Sequence, residues 1–301
     1  MSKSKRNWAT CIFVGIASTS LLSMGCAGPS EMREAASASE AETAKPNDGL
    51  NSTLWALTSA EYDATALTVY HAAERAVASG LADSNWTALP EQEAGDDYSD
   101  LPPAVVLDVD ETVLDNGEYQ AELVVDDTVY SSESWLEWVL KERAGAIPGA
   151  LAFTRHADAR GVTVIYLTNR RGPMEQATRQ NLIDLGFPVD TTFDVVLTRG
   201  ERPEWKAGEK TSRRRFVAQH FRVLALVGDN LGDFIDIDGL GLARRNDEAA
   251  AAQRFWGTKW FMLPNPQYGS WESALFDGRY DLPLDVRRTM KIDRLRERDH
   301  R

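Results

Sequence analysis

At 301 residues the chain can bury a full core, in one large domain or two. Its net charge of -13 excludes a general nucleic-acid binder, which needs a basic face to displace counterions. A small anionic substrate is still admissible, because a few basic residues can dominate a pocket. The cysteines are Cys11 and Cys26, both near the N-terminus, so the folded part is expected to hold neither a disulfide nor a thiolate metal site.

Residues 1–25 read as a signal peptide. Lys3, Lys5 and Arg6 form a positive start, and Trp8 to Leu22 is an apolar run too short to span a bilayer comfortably. The run Leu21-Leu22-Ser23-Met24-Gly25-Cys26-Ala27 resembles a bacterial lipoprotein signal, in which the cysteine is lipidated and becomes the mature N-terminus. It departs from that pattern at Ser23, where a leucine is usual. Residues 26–51, rich in Ala, Ser and Glu, are expected to be a disordered tether. Such a leader implies export as an outer-membrane lipoprotein, facing the periplasm or the cell surface.

The folded domain is expected over residues 52–284. Thr58-Ser59-Ala60-Glu61 has the form of a capping box, and Tyr62, Ala66, Tyr70, Ala73 and Val77 follow at helical spacing until Gly80. His71 within that helix reads as a surface or packing residue. Glu91 to Pro103 is acidic and loop-like. Ala104 to Leu107 then reads as a strand buried on both faces, running straight into Asp108 and Asp110. Further strands are expected at Val162–Leu167, Phe193–Leu197, Val223–Val227 and Lys259–Leu263. Helices are expected at Met174–Leu185, about Thr211–His220, and near Asp247–Phe255. This alternation predicts an α/β fold, a doubly wound parallel sheet of about five strands with helices on both faces. The long gap after the first strand, about 117–160, reads as a small helical cap. Residues 285–301 form a charged, solvated tail, and Arg213-Arg214-Arg215 is expected on the wet face of a helix.

The chemistry collects at strand ends, where open α/β sheets place ligands. Asp108 and Asp110 suit phosphoryl transfer, one attacking phosphorus and the other moving a proton. Thr168 and Asn169, after the second strand, open an anion cradle of hydroxyl and backbone N–H groups. Gly228-Asp229 and Asp233 follow the fourth strand, and Asp229 could share Mg2+ with Asp108. Lys210 would offset the charge of the phosphate and its surrounding acids, with Lys206 as the rival. Arg155-His156 begins like a histidine-phosphatase motif, but Ala157 follows and the pair lies in a helical stretch.

Asp108-Val109-Asp110-Glu111-Thr112, then Thr168, Lys210 and Gly228-Asp229 with Asp233, resemble the four-motif pattern of the haloacid dehalogenase superfamily. The runs Asp108–Asn116, Tyr166–Arg170, Gly228–Phe234 and Leu263-Pro264-Asn265 with Tyr268-Gly269 and Trp271 are similar to the class C acid phosphatases, bacterial lipoprotein 5'-nucleotidases. Gly232 departs from relatives that often carry an extra Asp there. The resemblance implies an Mg2+-dependent phosphomonoesterase, with Asp108 as nucleophile and Asp110 as general acid and base. It implies metal ligation by Asp108, the Asp110 backbone carbonyl and Asp229, phosphate binding by Thr168, Asn169 and Lys210, and an orienting role for Asp233. It further implies a base sandwiched between Trp135 and Tyr268, with Trp138 and Trp271 as weaker candidates, and a homodimer. The expected function is therefore an exported acid phosphatase acting on 5'-nucleotides and other small phosphomonoesters. The alternatives are an exported ligand-binding lipoprotein with a vestigial site, and a phosphotransferase using the same residues.

Overall fold

The computed structural model describes residues 47–95 and 98–297. The leader, Cys26 and the tether up to residue 46 lie outside the described residues, as do the last four of the charged tail.

The described chain opens with a helix that begins within the expected tether and had no counterpart among the expected elements. Helix α1 (Leu50–Thr58) has weak apolar periodicity and is held by packing, with the Trp55 ring edge-on to Tyr62 at 5.6 Å. Helix α2 (Ala60–Ala82) is capped by Ser59, whose hydroxyl accepts from the Tyr62 N–H (3.1 Å). Thr58 turns back to the Leu54 carbonyl (2.7 Å) instead of capping. Gly80 does not stop α2. It is buried, and a Cβ there would fall 2.8 Å from the Trp86 ring, so it serves close packing. After the one-turn helix α3 (Pro90–Glu93) comes strand β1 (Pro103–Leu107), buried along Ala104–Leu107.

Beyond β1 the strand β2 (Leu114–Asp115) pairs antiparallel with β3 (Gly145–Ala146), and this ribbon brackets helices α4 (Gly117–Val125) and α5 (Ser132–Leu140). These two helices make the expected cap. Helix α6 (Ala150–Asp158) packs instead on α2, its Phe153 ring 5.5 Å from Tyr70, and so belongs to the layer covering the sheet.

The rest alternates strand and helix: β4 (Thr163–Arg171), α7 (Glu175–Leu185), β5 (Val196–Arg199), α8 (Thr211–Ala218), β6 (Arg222–Gly228), α9 (Leu242–Ala251) and β7 (Trp260–Met262). The sheet is parallel, in the order β5-β4-β1-β6-β7. From β1 the chain moves outward through β4 to β5, then crosses back to β6 and β7. With right-handed crossovers this puts helices on both faces and reverses the winding direction beside β1. Ligands of open α/β sheets bind at such a switch point, past the strands' carboxyl ends. Strand β4 does not stop at Leu167, its expected end, but continues to Arg171, its pairing with β5 shifting between those residues. Helices α10 (Ser270–Ser273) and α11 (Leu284–Arg296) follow, and α11 buries none of its residues, as a solvated tail should. No described helix is long and apolar enough to cross a membrane.

Candidate active site

Asp108 lies one residue past β1, its N–H extending the ladder to the Val227 carbonyl of β6 (3.0 Å). Asp229 lies one residue past β6, so neighbouring parallel strands deliver the two acids side by side. Asp233 is folded back onto the same strand end, where its Oδ2 accepts from the Asn230 N–H (2.9 Å) while the Asn230 side chain accepts from Gly232 N–H (3.1 Å). Gly228 allows that approach, since a Cβ there would sit 2.3 Å from an Asp233 oxygen. Carboxylate oxygens of Asp108, Asp229 and Asp233 lie within 4.8 Å of one another.

Lys210 enters this cluster from the start of α8 and is buried. Its Nζ donates to Asp233 Oδ1 (2.7 Å) and, at closer range, to Asp108 Oδ1. The rival Lys206 is exposed and its backbone carbonyl is taken by Arg199 (3.0 Å). Burial pushes the Asp108 carboxyl up to about 7, with Asp233 and Asp110 adding to the rise and Lys210 opposing it. Burial, then the charges of Asp233 and Asp108, raise Asp229 well above the carboxylate range. Burial works against the Lys210 ammonium, but the two carboxylates outweigh it and its pKa is raised. Three crowded carboxylates with a single ammonium leave an excess of negative charge in a buried place. Hard oxygen donors so arranged fit a divalent cation, which would draw the carboxyl pKa values back down.

Asp110 occupies the turn after β1, where Glu111 adopts a left-handed φ of 54° and accepts from the Asn116 N–H (3.0 Å). Tyr70 of α2 pins the turn by donating to the Thr112 carbonyl (2.6 Å). The Asp110 carboxylate is bound by Arg170, through Nε (3.0 Å) and an NH2 nitrogen (2.8 Å), and by Asn116 Nδ2 (2.9 Å). Asp229 is likewise steadied, by Asn265 Nδ2 (2.8 Å) and the Thr112 hydroxyl (3.3 Å).

Thr168 is buried in the irregular part of β4, and its hydroxyl oxygen accepts from the Arg170 N–H (3.0 Å). Asn169 is exposed and accepts from Arg213 (2.6 Å). This corrects the expectation for Arg213-Arg214-Arg215: only Arg215 is exposed, whereas Arg213 and Arg214 are among the largest fully buried side chains. Arg213 also donates to the carbonyls of Thr168 (2.5 Å) and Glu209 (3.0 Å), and Arg214 donates to the Asp233 carbonyl (3.0 Å). Adjacent arginines on α8 thereby tie the segment carrying Lys210 to β4 at Thr168 and to the turn carrying Asp233.

Trp135 of the cap packs edge-on to Tyr119 (5.2 Å), with the Arg170 guanidinium 5.5 Å from its ring, on the β4 side of the site. Tyr268 lies past β7, its N–H directed to Asn265 Oδ1 (3.4 Å). Trp138 is buried and donates to Asn116 Oδ1 (2.8 Å), which makes it a structural ring, and Trp271 is exposed. Arg155 of the histidine-phosphatase look-alike holds the Gly186 carbonyl (2.9 Å), and His156 is exposed.

Arg170, Asn116 and Asn265 make site contacts that no expectation from the residue order covers, and Arg213 and Arg214 were expected on a wet helix face instead of inside. The first three stand in the runs that carry the family resemblance, but nothing local to them names their carboxylate partners.

A winding reversal beside β1, acids and a lysine converging on it and a helical cap inserted after the first strand together define a protein of the haloacid dehalogenase class. Within that class, the model of the HAD superfamily, subfamily IIIB (acid phosphatase), matches residues 29–271, and the chain belongs to this family. The structure is similar to that of the class C acid phosphatase from Bacillus anthracis, and to the same enzyme with tungstate bound. Each is 30% identical, with a TM-score of 0.72, covering 83% of this chain and 98% of the Bacillus chain. Acid phosphatase 1 of Solanum lycopersicum is 27% identical over 179 residues, 58% of this chain; the match spans 61% of the length of that curated relative.

Proposed function

We propose that the protein is an Mg2+-dependent acid phosphatase, exported and anchored through lipid on Cys26, that hydrolyses 5'-nucleotides and other small phosphomonoesters. The observation that carries the reading is Asp108 at the switch point, paired with buried Lys210 and crowded by Asp229 and Asp233. Tungstate bound to the Bacillus relative supports an oxyanion site, because tungstate is tetrahedral like phosphate. The hard-oxygen donor set supports Mg2+, and the resemblance to class C acid phosphatases supports a flat base held between Trp135 and Tyr268.

Asp108, Asp229 and the Asp110 backbone carbonyl would hold Mg2+, which when bound supplies neutralising charge to the phosphoryl oxygens and keeps Asp108 ionised. Lys210, Thr168 and Asn169 bind the phosphoryl group, and Asp233 holds the Lys210 ammonium in line. An Asp108 oxygen forms a bond to phosphorus while the bond to the leaving oxygen breaks. The leaving oxygen keeps that electron pair and takes a proton from Asp110. Water then attacks the aspartyl-phosphate, giving its proton back to Asp110. The bond from phosphorus to Asp108 breaks, releasing inorganic phosphate and restoring both carboxyl groups.

Phosphate release from a nucleoside 5'-monophosphate, with Mg2+ and with chelator, tests the reading. The wild type should release phosphate only with the cation and Asp108→Asn should release none. Turnover by Asp108→Asn would refute the nucleophile. A wild type that binds nucleotide without hydrolysing it would favour a binding lipoprotein.

A further inference from the structure

Asp110 does not meet its neighbours evenly. Its Oδ1 accepts three hydrogen bonds, from Arg170 Nε (3.0 Å), Arg170 NH2 (2.8 Å) and Asn116 Nδ2 (2.9 Å). Its Oδ2 has only a long contact to Arg170 Nε (3.4 Å). A guanidinium can only donate, so an oxygen facing it must present lone pairs. The amide of Asn116 is oriented in the same sense. Trp138 Nε1 also can only donate and points at Asn116 Oδ1 (2.8 Å), which turns Nδ2 toward Asp110. When Asp110 carries a proton, that proton is therefore excluded from Oδ1 and sits on Oδ2.

Arg170 is itself fixed from several directions. Its NH1 donates to the Thr178 hydroxyl (3.1 Å), whose own proton goes to the Met174 carbonyl (2.8 Å). Its NH2 reaches Asn116 Oδ1 (3.3 Å), and the Trp135 ring lies 5.5 Å from the guanidinium carbon. The Arg170 side chain is 2% exposed and that of Asp110 19%, so the arginine is sealed in while part of the Asp110 side chain stays accessible. A buried fork with two prongs on one carboxylate oxygen fixes the plane of that carboxyl as well as its position.

We propose that Arg170 is a positioning residue of the reaction, which with Asn116 orients the Asp110 carboxyl so that Oδ2 presents its proton to the leaving oxygen. This rests on the reading of Asp110 as the general acid given above. The proton moves from Oδ2 to the leaving oxygen as that oxygen takes the electron pair of its bond to phosphorus. The fork then holds the resulting carboxylate in place to accept the proton of water.

The dependence on leaving group separates orientation from mere support of the fold. A nitrophenolate departs without help, whereas the 5'-oxygen of a nucleoside must be protonated as it leaves. The ratio kcat/KM, which reports the steps through cleavage of that bond, is measured at one pH with Mg2+ for p-nitrophenyl phosphate and for a nucleoside 5'-monophosphate. Arg170→Gln should lose about 100-fold or more on the nucleotide, as loss of positioned proton transfer does, and less than about 10-fold on the aryl ester. Thr178→Val removes one fixing contact at constant volume and should shift the ratio of the two values the same way, by about 3- to 10-fold. Equal losses on both esters in Arg170→Gln would overturn the proposal. So would an unchanged ratio in Thr178→Val, which decides the matter alone if Arg170→Gln does not fold. A wild type inactive on both esters would instead overturn the phosphatase reading beneath it.

Discussion

Replacing Arg213 by methionine removes a guanidinium while keeping most of the apolar stem. Three charge-assisted hydrogen bonds disappear, to the Thr168 carbonyl, Asn169 Oδ1 and the Glu209 carbonyl. At about 1.5–3 kcal/mol each the gross loss is about 4.5–9 kcal/mol. Against it stands relief of the guanidinium's desolvation, strong enough to push its pKa down to about 10. The net destabilisation expected is about 3–5 kcal/mol, the range for breaking a buried charged network. For a domain of this size that lowers Tm by about 6–20 °C. Arg215→Met, two residues along on the exposed side, should stay within about 0.5 kcal/mol of the wild type. Thermal unfolding of both variants, followed by circular dichroism, makes the comparison. Equal melting temperatures would mean that Arg213 is solvated, and the argument from burial would fail.

The remaining expectations concern the cation, the substrate and the anchor. Asp108, raised to about 7, and Asp229, raised well above the usual carboxylate range by burial, bind protons more tightly folded than unfolded. Stability without metal should therefore fall as pH rises from about 4 to about 7. Mg2+ competes with those protons, so its effect on Tm should be larger at pH 7.5 than at pH 5; an equal shift at both would count against the cluster as the metal site. Asp229→Asn should raise the Mg2+ concentration needed for half-maximal phosphate release, and an unchanged requirement would remove Asp229 from the ligand set. Trp135→Leu or Tyr268→Ala should each raise KM for a nucleoside monophosphate by about 5- to 150-fold, the equivalent of about 1–3 kcal/mol per stacked base, and leave glycerol phosphate nearly unaffected. Cys26→Ala should move the protein from membrane to soluble fractions, and unaltered partitioning would argue against lipidation.

Much of the frame was legible in the residue order. The β-branched apolar runs at β1, β4 and β6, the spacing of Asp108 and Asp110, and the segment Gly228 to Asp233 are local patterns, and each fell where expected at a strand end. Helix α1 was not legible, because it stands on contacts such as Trp55 with Tyr62 rather than on periodicity. The boundary of β4 was misplaced because polar residues after Leu167 look like a turn, yet they continue to Arg171 along the edge shared with β5.

Sequence alone determined that this chain builds a parallel α/β sheet with acids and a lysine at its strand ends, since burial periodicity and short motif spacings are properties of neighbouring residues. Only the tertiary structure decided which charges meet: Arg170 with Asp110 across 60 residues, Asn265 with Asp229 across 36, and Arg213 with Thr168 across 45. It also separated Lys210 from Lys206, and two buried arginines from an exposed third. A charged side chain reads as polar in sequence whether it faces water or a crevice of carboxylates, and the order in which crossovers lay strands side by side settles which of these it meets.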